Sequence, residues 1–568
     1  MSTAARRWWL GAGVFLVLAW LVGYPLLVTT FAAFTPESGV TAGSGGGAAV
    51  SAPFAEFVNR PDEWTALYRS LWISLASVAL AGLVGVPLGF LFARAEFPGR
   101  RVLGELLALP VALPPLVGVI AFLYLYGESG MATRLVGKLV GSSGAPWRLT
   151  GPGAILLVHT YSMYVYFYLF TRAALARFDG AQLEAAAALG AGRWRTLTRV
   201  VLPGLAPALG AAAILTFLTA LGSFSAPYIF GGSFRVMTTQ ILASRQNGDV
   251  DIAEVETFFL IAVAICGLLV ARRLERRHAG RRASQRGTPP QRRVVRSPAA
   301  RLALTLAGWL FALLLLLPHL TLILISFVPR ATWTTELFPP LLSLANYRAL
   351  GAAGAAAEAF RPVANSLWMA LAATAGALIL GFFAARRAVD RRPGGAFWSP
   401  AIGLLIAVPW AVPATAFAVA LATTMSVQSP ASGRFLLVGT AAILPLAYLV
   451  RALPATGQAA IAALEQMDPQ LEEASAALGA GKLRTLVRVT LPRVRPALAA
   501  GASLAFLAAF GDFVVSIVLY TYETRPISIE ILSNLRLQET GVAAVYGVLL
   551  TALSAAAFLL WGREREVR

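Results

Sequence analysis

Groups able to do covalent or metal chemistry are few in this sequence and poorly spaced for it. Two Gly-Lys pairs could close a phosphate-cradling loop. Gly481-Lys482, however, is followed by Leu483 where Ser or Thr is needed and has Ala476 where the first glycine belongs, and Gly137-Lys138 fails likewise at Leu139 and Ala132. The three histidines, His159, His278 and His319, are scattered, with no HExxH pair and no nearby cysteine to complete a zinc site. No GxSxG elbow presents a serine nucleophile. The lone cysteine, Cys266, lies in an apolar run, which excludes a disulfide framework and reads as a small buried hydrophobe. Hydrolysis by this chain alone is not expected, and no metal site is expected on it.

The carboxylates that stand out do so by position. Glu184 and Glu473 each head a stretch that the chain contains twice, EAAAALGAGRWRTLTRVVLPGLAPAL from Glu184 to Leu209 and EASAALGAGKLRTLVRVTLPRVRPAL from Glu473 to Leu498, identical at 18 of 26 positions. Alanine-rich starts, a Gly-x-Gly break, a basic amphipathic turn and a closing Leu-Pro predict two short helices joined by a glycine turn and stopped by proline. The arginines and lysine that follow the glycines, Arg193, Arg195, Arg199, Lys482, Arg484 and Arg488, suit lipid headgroups, an acidic partner surface or a solvated basic face. Asp512 is the ionisable residue most able to line a pathway, with a hydrated interfacial carboxylate as the plainer reading. His159, followed by Thr160, Tyr161 and Ser162, reads as an interhelical hydrogen-bond partner.

The elements that must position these residues are membrane helices. With 58% hydrophobic and 13% charged residues and a mean hydropathy of +0.70, the chain is an all-α integral membrane protein. Twelve apolar segments are long enough to span a bilayer, at roughly 8–33, 70–93, 104–126, 153–173, 205–224 and 253–271 in the first half and 302–327, 365–385, 399–424, 435–452, 497–520 and 541–561 in the second. The first follows Arg6 and Arg7 and could be a signal peptide cleaved near Ala48 to Ala52. Its long apolar run and its mid-chain counterpart at 302–327 predict a retained helix instead.

With the N-terminus inside, the Lys and Arg surplus falls on the cytoplasmic face and accounts for the whole net charge of +20, so no nucleic-acid partner is implied. Six spans separate the two repeated stretches, which puts both in the cytoplasm and makes the halves parallel repeats, with both termini cytoplasmic. The expected organisation is a first repeat over 1–272 with its loop at about 174–204, a basic linker over 273–301 lying on anionic lipid, and a second repeat over 302–568 with its loop at about 453–493.

Further pairs of landmarks recur in both halves: Arg69–Trp72 with Asn365–Trp368, Pro110 and Pro114 with Pro409 and Pro413, Leu221–Phe224 with Phe510–Phe513, and RVMTTQI from Arg235 with RPISIEI from Arg525. Ser223 and Asp512 occupy matched sites towards the outer ends of the fifth and eleventh spans. With Tyr228 and Glu530 in the segments that follow, they are the candidates to line a translocation pathway.

The repeated stretch resembles the EAA loop of permease subunits of binding-protein-dependent ABC importers. Glu184, Ala185, Ala186, Gly190, Leu202 and Pro203 fit its spacing, as do Glu473, Ala474, Gly479, Leu491 and Pro492, with Ser475 departing at the third position. The resemblance implies the type I importer permease fold, with two six-helix repeats of about twelve helices fused in one chain. It also implies two copies of a partner ATPase that bind the ATP and receive the loops, no cofactor on this chain, and a periplasmic or lipid-anchored solute-binding protein that selects the cargo at a bacterial inner membrane. The segments FSAPYIFGG (224–232) and YETRPISIEI (522–531) look most like iron(III) permeases. Thiamine, phosphonate and polyamine importers share features of the layout. An ion-coupled secondary transporter is the alternative of another class, and it would need ionisable residues near the midplane.

Overall fold

Backbone groups inside a bilayer must be satisfied within the segment, so the apolar runs become helices, several of which continue through an internal proline such as Pro87, Pro207, Pro318 or Pro454. The computed structural model describes residues 3–34, 52–142, 144–282, 292–329, 341–351, 356–426 and 436–562. The first half comprises α1 (Thr3–Leu18), α2 (Tyr24–Ala32), α3 (Ala52–Asn59), α4 (Pro61–Arg94), α5 (Arg100–Leu106), α6 (Pro115–Tyr126), α7 (Met131–Val140), α8 (Gly151–Ala176), α9 (Gly180–Ala188), α10 (Arg193–Thr196), α11 (Leu202–Leu221), α12 (Ser225–Phe230), α13 (Met237–Asn247) and α14 (Val250–Arg282). The second comprises α15 (Pro298–Ser326), α16 (Ala345–Leu350), α17 (Ala356–Ala388), α18 (Ser399–Ala411), α19 (Ala414–Ser426), α20 (Ile443–Glu465), α21 (Gln470–Ala477), α22 (Lys482–Thr485), α23 (Leu491–Phe510), α24 (Val514–Leu519), α25 (Ile527–Arg536) and α26 (Thr540–Gly562). Two-residue strands β1 (Ala95–Glu96) and β2 (Arg293–Val294) pair in parallel.

Among the described residues ten helices are long and apolar enough to cross a membrane, eleven when the bent pair α18–α19 counts as one, against the twelve expected. The missing one is the segment at 435–452. Its helix, α20, starts later and carries Arg451, Gln458 and Glu465, yet it packs on α17 and α23 as α8 packs on α4 and α11. The expected span at 104–126 is broken by a 3-10 turn at Leu109–Ala112 and by Pro114, and the membrane-length segment is Pro115–Val140. Its counterpart bends by 111° between α18 and α19, at Pro413. A residue that precedes proline is pushed out of the helical region, which explains both breaks. The signal-cleavage region 48–51 and the linker stretch 283–291 lie outside the described residues. Ahead of that stretch α14 stays helical to Arg282, and behind it β2 pairs with β1, Glu96 reaching both Arg100 and Arg292 at 3.2 and 3.5 Å.

Close helix approach is bought by glycine, in matched places. A side chain at Gly85 of α4 would meet Tyr164 O of α8 at 2.3 Å, and one at Gly381 of α17 would meet Thr456 Oγ1 of α20 at 2.6 Å. The first helix of each half crosses to the other half. α1 packs on α17 and α18, with Gly11 against Trp398, while α15 packs on α5 and α6, with Gly308 against Leu103. The largest apolar core accordingly draws residues from both halves.

Candidate functional site

Each loop is built by the same local rules. Asp179 Oδ1 accepts the Ala181 N–H at 3.1 Å and caps α9, and Asp468 Oδ1 accepts the Gln470 N–H at 2.9 Å and caps α21. The helices end at Gly190 and Gly479 with φ of 71° and 78°, where the Ala191 and Ala480 N–H groups reach back to the Ala186 and Ser475 carbonyls. This left-handed closure favours glycine. The chain then turns into α10 and α22.

Proline does not stop these second helices. Leu197–Val201 and Leu486–Thr490 form one wide π turn each, in which the Leu202 and Leu491 N–H groups bond Leu197 O and Leu486 O, five residues back. Pro203 and Pro492 follow at once, and each helix runs unbroken for 29 residues, Arg193–Leu221 and Lys482–Phe510. Widening the turn carries the chain past a residue that has no N–H to donate. The π turn at Ala19–Gly23 precedes Pro25 in the same way.

On the loops Glu184, Ala185, Gly190 and Pro203 are exposed, as are Glu473, Ala474, Gly479 and Pro492. Ala186 is buried, and Leu202 and Leu491 are half-buried. The departing Ser475 finds a partner in Thr485 Oγ1 at 2.9 Å. Glu184 and Glu473 each stand five residues after the capping aspartate, so in both loops the helix dipole acts on Asp179 and Asp468 more than on the glutamates. Arg193, Arg195, Arg199, Lys482, Arg484 and Arg488 are all exposed. So are four apolar side chains flanking the glycines, Leu189 (87%) and Trp194 (76%) on the first loop and Leu478 (89%) and Leu483 (74%) on the second. Large apolar groups stand open at matched positions of both copies, Leu189 with Leu478 and Trp194 with Leu483.

The far ends of the 29-residue helices meet the opposite half. Gly222, after α11, lies against Pro413, where a Cβ would come within 3.5 Å of its Cα, and Gly511, after α23, lies against Pro114 at 3.0 Å. Here the structure brings together two of the paired landmarks. Ser223 accepts or donates to His159 Nε2 at 2.8 Å, and His159 Nδ1 meets Ser77 at 2.8 Å, tying α4, α8 and the Gly222–Phe224 turn. Asp512 Oδ1 accepts the N–H groups of Val515 and Ser516 at 3.0 and 3.1 Å and so caps α24. Tyr228 stacks on Phe224, with ring centres 5.1 Å apart, packs on Phe513 and bonds Arg536 across the halves. Glu530 is paired with Arg525 at 2.8 Å and accepts from Asn534.

Several contributors escaped the sequence reading. Ser70 accepts the Met237 N–H at 2.7 Å and Ser366 accepts the Ile527 N–H at 2.9 Å, so the RSLW and NSLW landmarks start α13 and α25 by one shared bond. Glu63, Glu254 and Glu256 are buried, with Gln240 donating to Glu63 and Ser244 to Glu256. The last two carboxylates lie in the first two turns of α14, towards its end rather than its middle. Their signal was the DVDIAEVE run opening an otherwise apolar span. Cys266 is exposed on α14, which on a spanning helix means facing lipid, contrary to the expected burial.

The family described as binding-protein-dependent transport system inner membrane component matches residues 85–280 and again 377–562. Among curated proteins the chain is similar to a probable ABC transporter permease protein of Sinorhizobium fredii, 29% identical over 97% of this chain and 95% of the relative. It is also similar to a ferric transport system permease protein of Actinobacillus pleuropneumoniae, 26% identical over 85% of this chain and 70% of the relative. A molybdenum transport system permease protein of Mycobacterium tuberculosis is 34% identical, over 37% of this chain and 79% of the relative. With the family signature found in each half, the chain belongs to the inner membrane components of binding-protein-dependent transport systems, as a tandem ABC permease subunit without catalytic activity of its own.

Proposed function

We propose that the chain forms the complete membrane pore of an importer and that its two loops, Glu184–Pro203 and Glu473–Pro492, receive two copies of a partner ATPase on the cytoplasmic side, where both termini also lie. The observation that carries this reading is the continuity of each loop with a spanning helix. A 29-residue helix is a rod of about 43 Å, running from the exposed Trp194 or Leu483 to the contact between halves at Gly222 or Gly511. A push on the loop therefore moves the inter-half contact. The exposed leucines and Trp194 supply the apolar anchor, Glu184 and Glu473 the charged contact, and ATP is held by the partner alone.

Cargo passes beside Ser223, Tyr228, Asp512 and Glu530, after delivery by a periplasmic or lipid-anchored binding protein. Iron(III) is the cargo we favour, because the ferric relative aligns over 85% of the chain, most of both halves, whereas the molybdenum relative aligns over 37%, less than one half. In membrane vesicles with ATP, the ATPase and the binding protein, we expect iron(III) uptake that survives a protonophore. It should vanish when Glu184→Lys and Glu473→Lys are combined, at unchanged membrane abundance. Unchanged uptake in that variant would overturn the coupling role, and uptake of molybdate in place of iron would overturn the cargo.

A further inference from the structure

The two loops are seated by different chemistry. In the first half Phe90 of α4, Leu183 of α9 and Val201 of the wide turn share one apolar cluster with Leu175, Phe178 and Leu205. Aligning Arg69–Trp72 with Asn365–Trp368, and the two loops with each other, puts Arg386, Glu472 and Thr490 at those three positions in the second half. All three change together, and they touch. Arg386 Nη2 donates to Glu472 Oε1 at 3.2 Å, and Thr490 Oγ1 donates to the same oxygen at 2.8 Å. Thr490 is buried, and the ion pair is 27% and 25% exposed.

The turn after α17 extends the pattern, with Arg391 at 3.9 Å from Glu465 and Arg392 at 4.0 Å from Glu473. Those two pairs are largely open to solvent and contribute little. The Arg386–Glu472 pair differs, because its carboxylate oxygen is already shared with a buried hydroxyl. Removing one member leaves the other charge half-buried without its partner, which costs far more than removing both.

We propose that Glu472, with Arg386 and Thr490, is a positioning residue for the second loop. It latches α21 to α17 ionically where α9 is held to α4 by packing, so the two docking loops are mechanically unlike. The proposal rests on the docking reading above. The glutamate one residue on, Glu473, is exposed and reaches only the solvent-open Arg392, whereas Glu472 faces inward to Arg386 and Thr490.

The test uses the full chain in proteoliposomes with its ATPase and binding protein, and reads uptake per ATP hydrolysed. A cysteine at Ala477 (Ala477→Cys) cross-linked to the ATPase reports docking of the second loop. Glu472→Leu should lower coupled uptake about tenfold, as expected for one member of a partly buried pair. Combining Arg386→Phe, Glu472→Leu and Thr490→Val transplants the first half's trio, and should restore uptake to within about twofold of wild type. The charge exchange Arg386→Glu with Glu472→Arg should restore it in part. Wild-type uptake in Glu472→Leu, or a triple variant no better than the single at equal membrane abundance, would overturn the latch. Should the wild-type background give no cross-link, the docking reading falls and this proposal with it. A cross-link that persists while Glu472→Leu transports normally removes the latch alone.

Discussion

Gly190 and Gly479 carry the sharpest local demand of the two loops. Each sits at positive φ with no atom near its missing side chain, so the demand is conformational and not steric. Gly190→Ala should therefore destabilise its loop by about 1–2 kcal/mol. Gly192→Ala, at φ −64°, should be tolerated. Loop-directed proteolysis in membranes, which the first substitution speeds and the second leaves alone, checks the pair. These glycines were legible in the sequence because an alanine run ending in Gly-x-Gly has one common solution. The seats beneath them were not legible, since Leu183 and Glu472 acquire meaning only against Phe90 and Arg386 of a helix some ninety residues away in sequence. Cys266 was misread for a related reason: a spanning helix is apolar on its lipid face as well as its core face, so hydropathy does not orient it.

At the level of elements, the glycine notches set how near the helices of one half can lie. Gly85→Val pushes a side chain into the backbone of α8 and should cost about 1–3 kcal/mol, read as a lower melting temperature of the detergent-solubilised chain. Gly118→Ala, with open space beside it, should leave that temperature unchanged. The repeat and most of its helices could be read from composition and period. The Leu-Pro pairs could not, because proline reads as a stop and the π turn that lets the helix continue leaves no composition of its own. The span expected at 435–452 was legible in its place but not in its bounds: its helix α20 runs from Ile443 to Glu465 through Arg451 and Gln458, and its contacts with α17 and α23 give it the place of α8.

For the whole molecule, the crossing of α1 and α15 means that neither half covers its own core. Residues 1–282 and 292–568, co-expressed as separate chains with a tag on one, should copurify, because α1 needs α17 and α18 and α15 needs α5 and α6. Recovery of the tagged half alone would show that the crossing helices do not hold the assembly. The parallel arrangement of the halves was legible from the face on which both loops fall, whereas the exchange of first helices was not, since no local pattern says which neighbour a uniformly apolar helix will choose.

The fusion of the two halves acquires a further meaning from their unlike loop seats. Were the halves separate polypeptides, two first halves or two second halves could pair and give a pore with matching seats. A single chain makes the pairing intramolecular, at an effective concentration on the order of millimolar for a short tether. Every chain then holds one packed and one ion-paired loop, a fixed ratio of unlike seats that free subunits would have to secure by recognition.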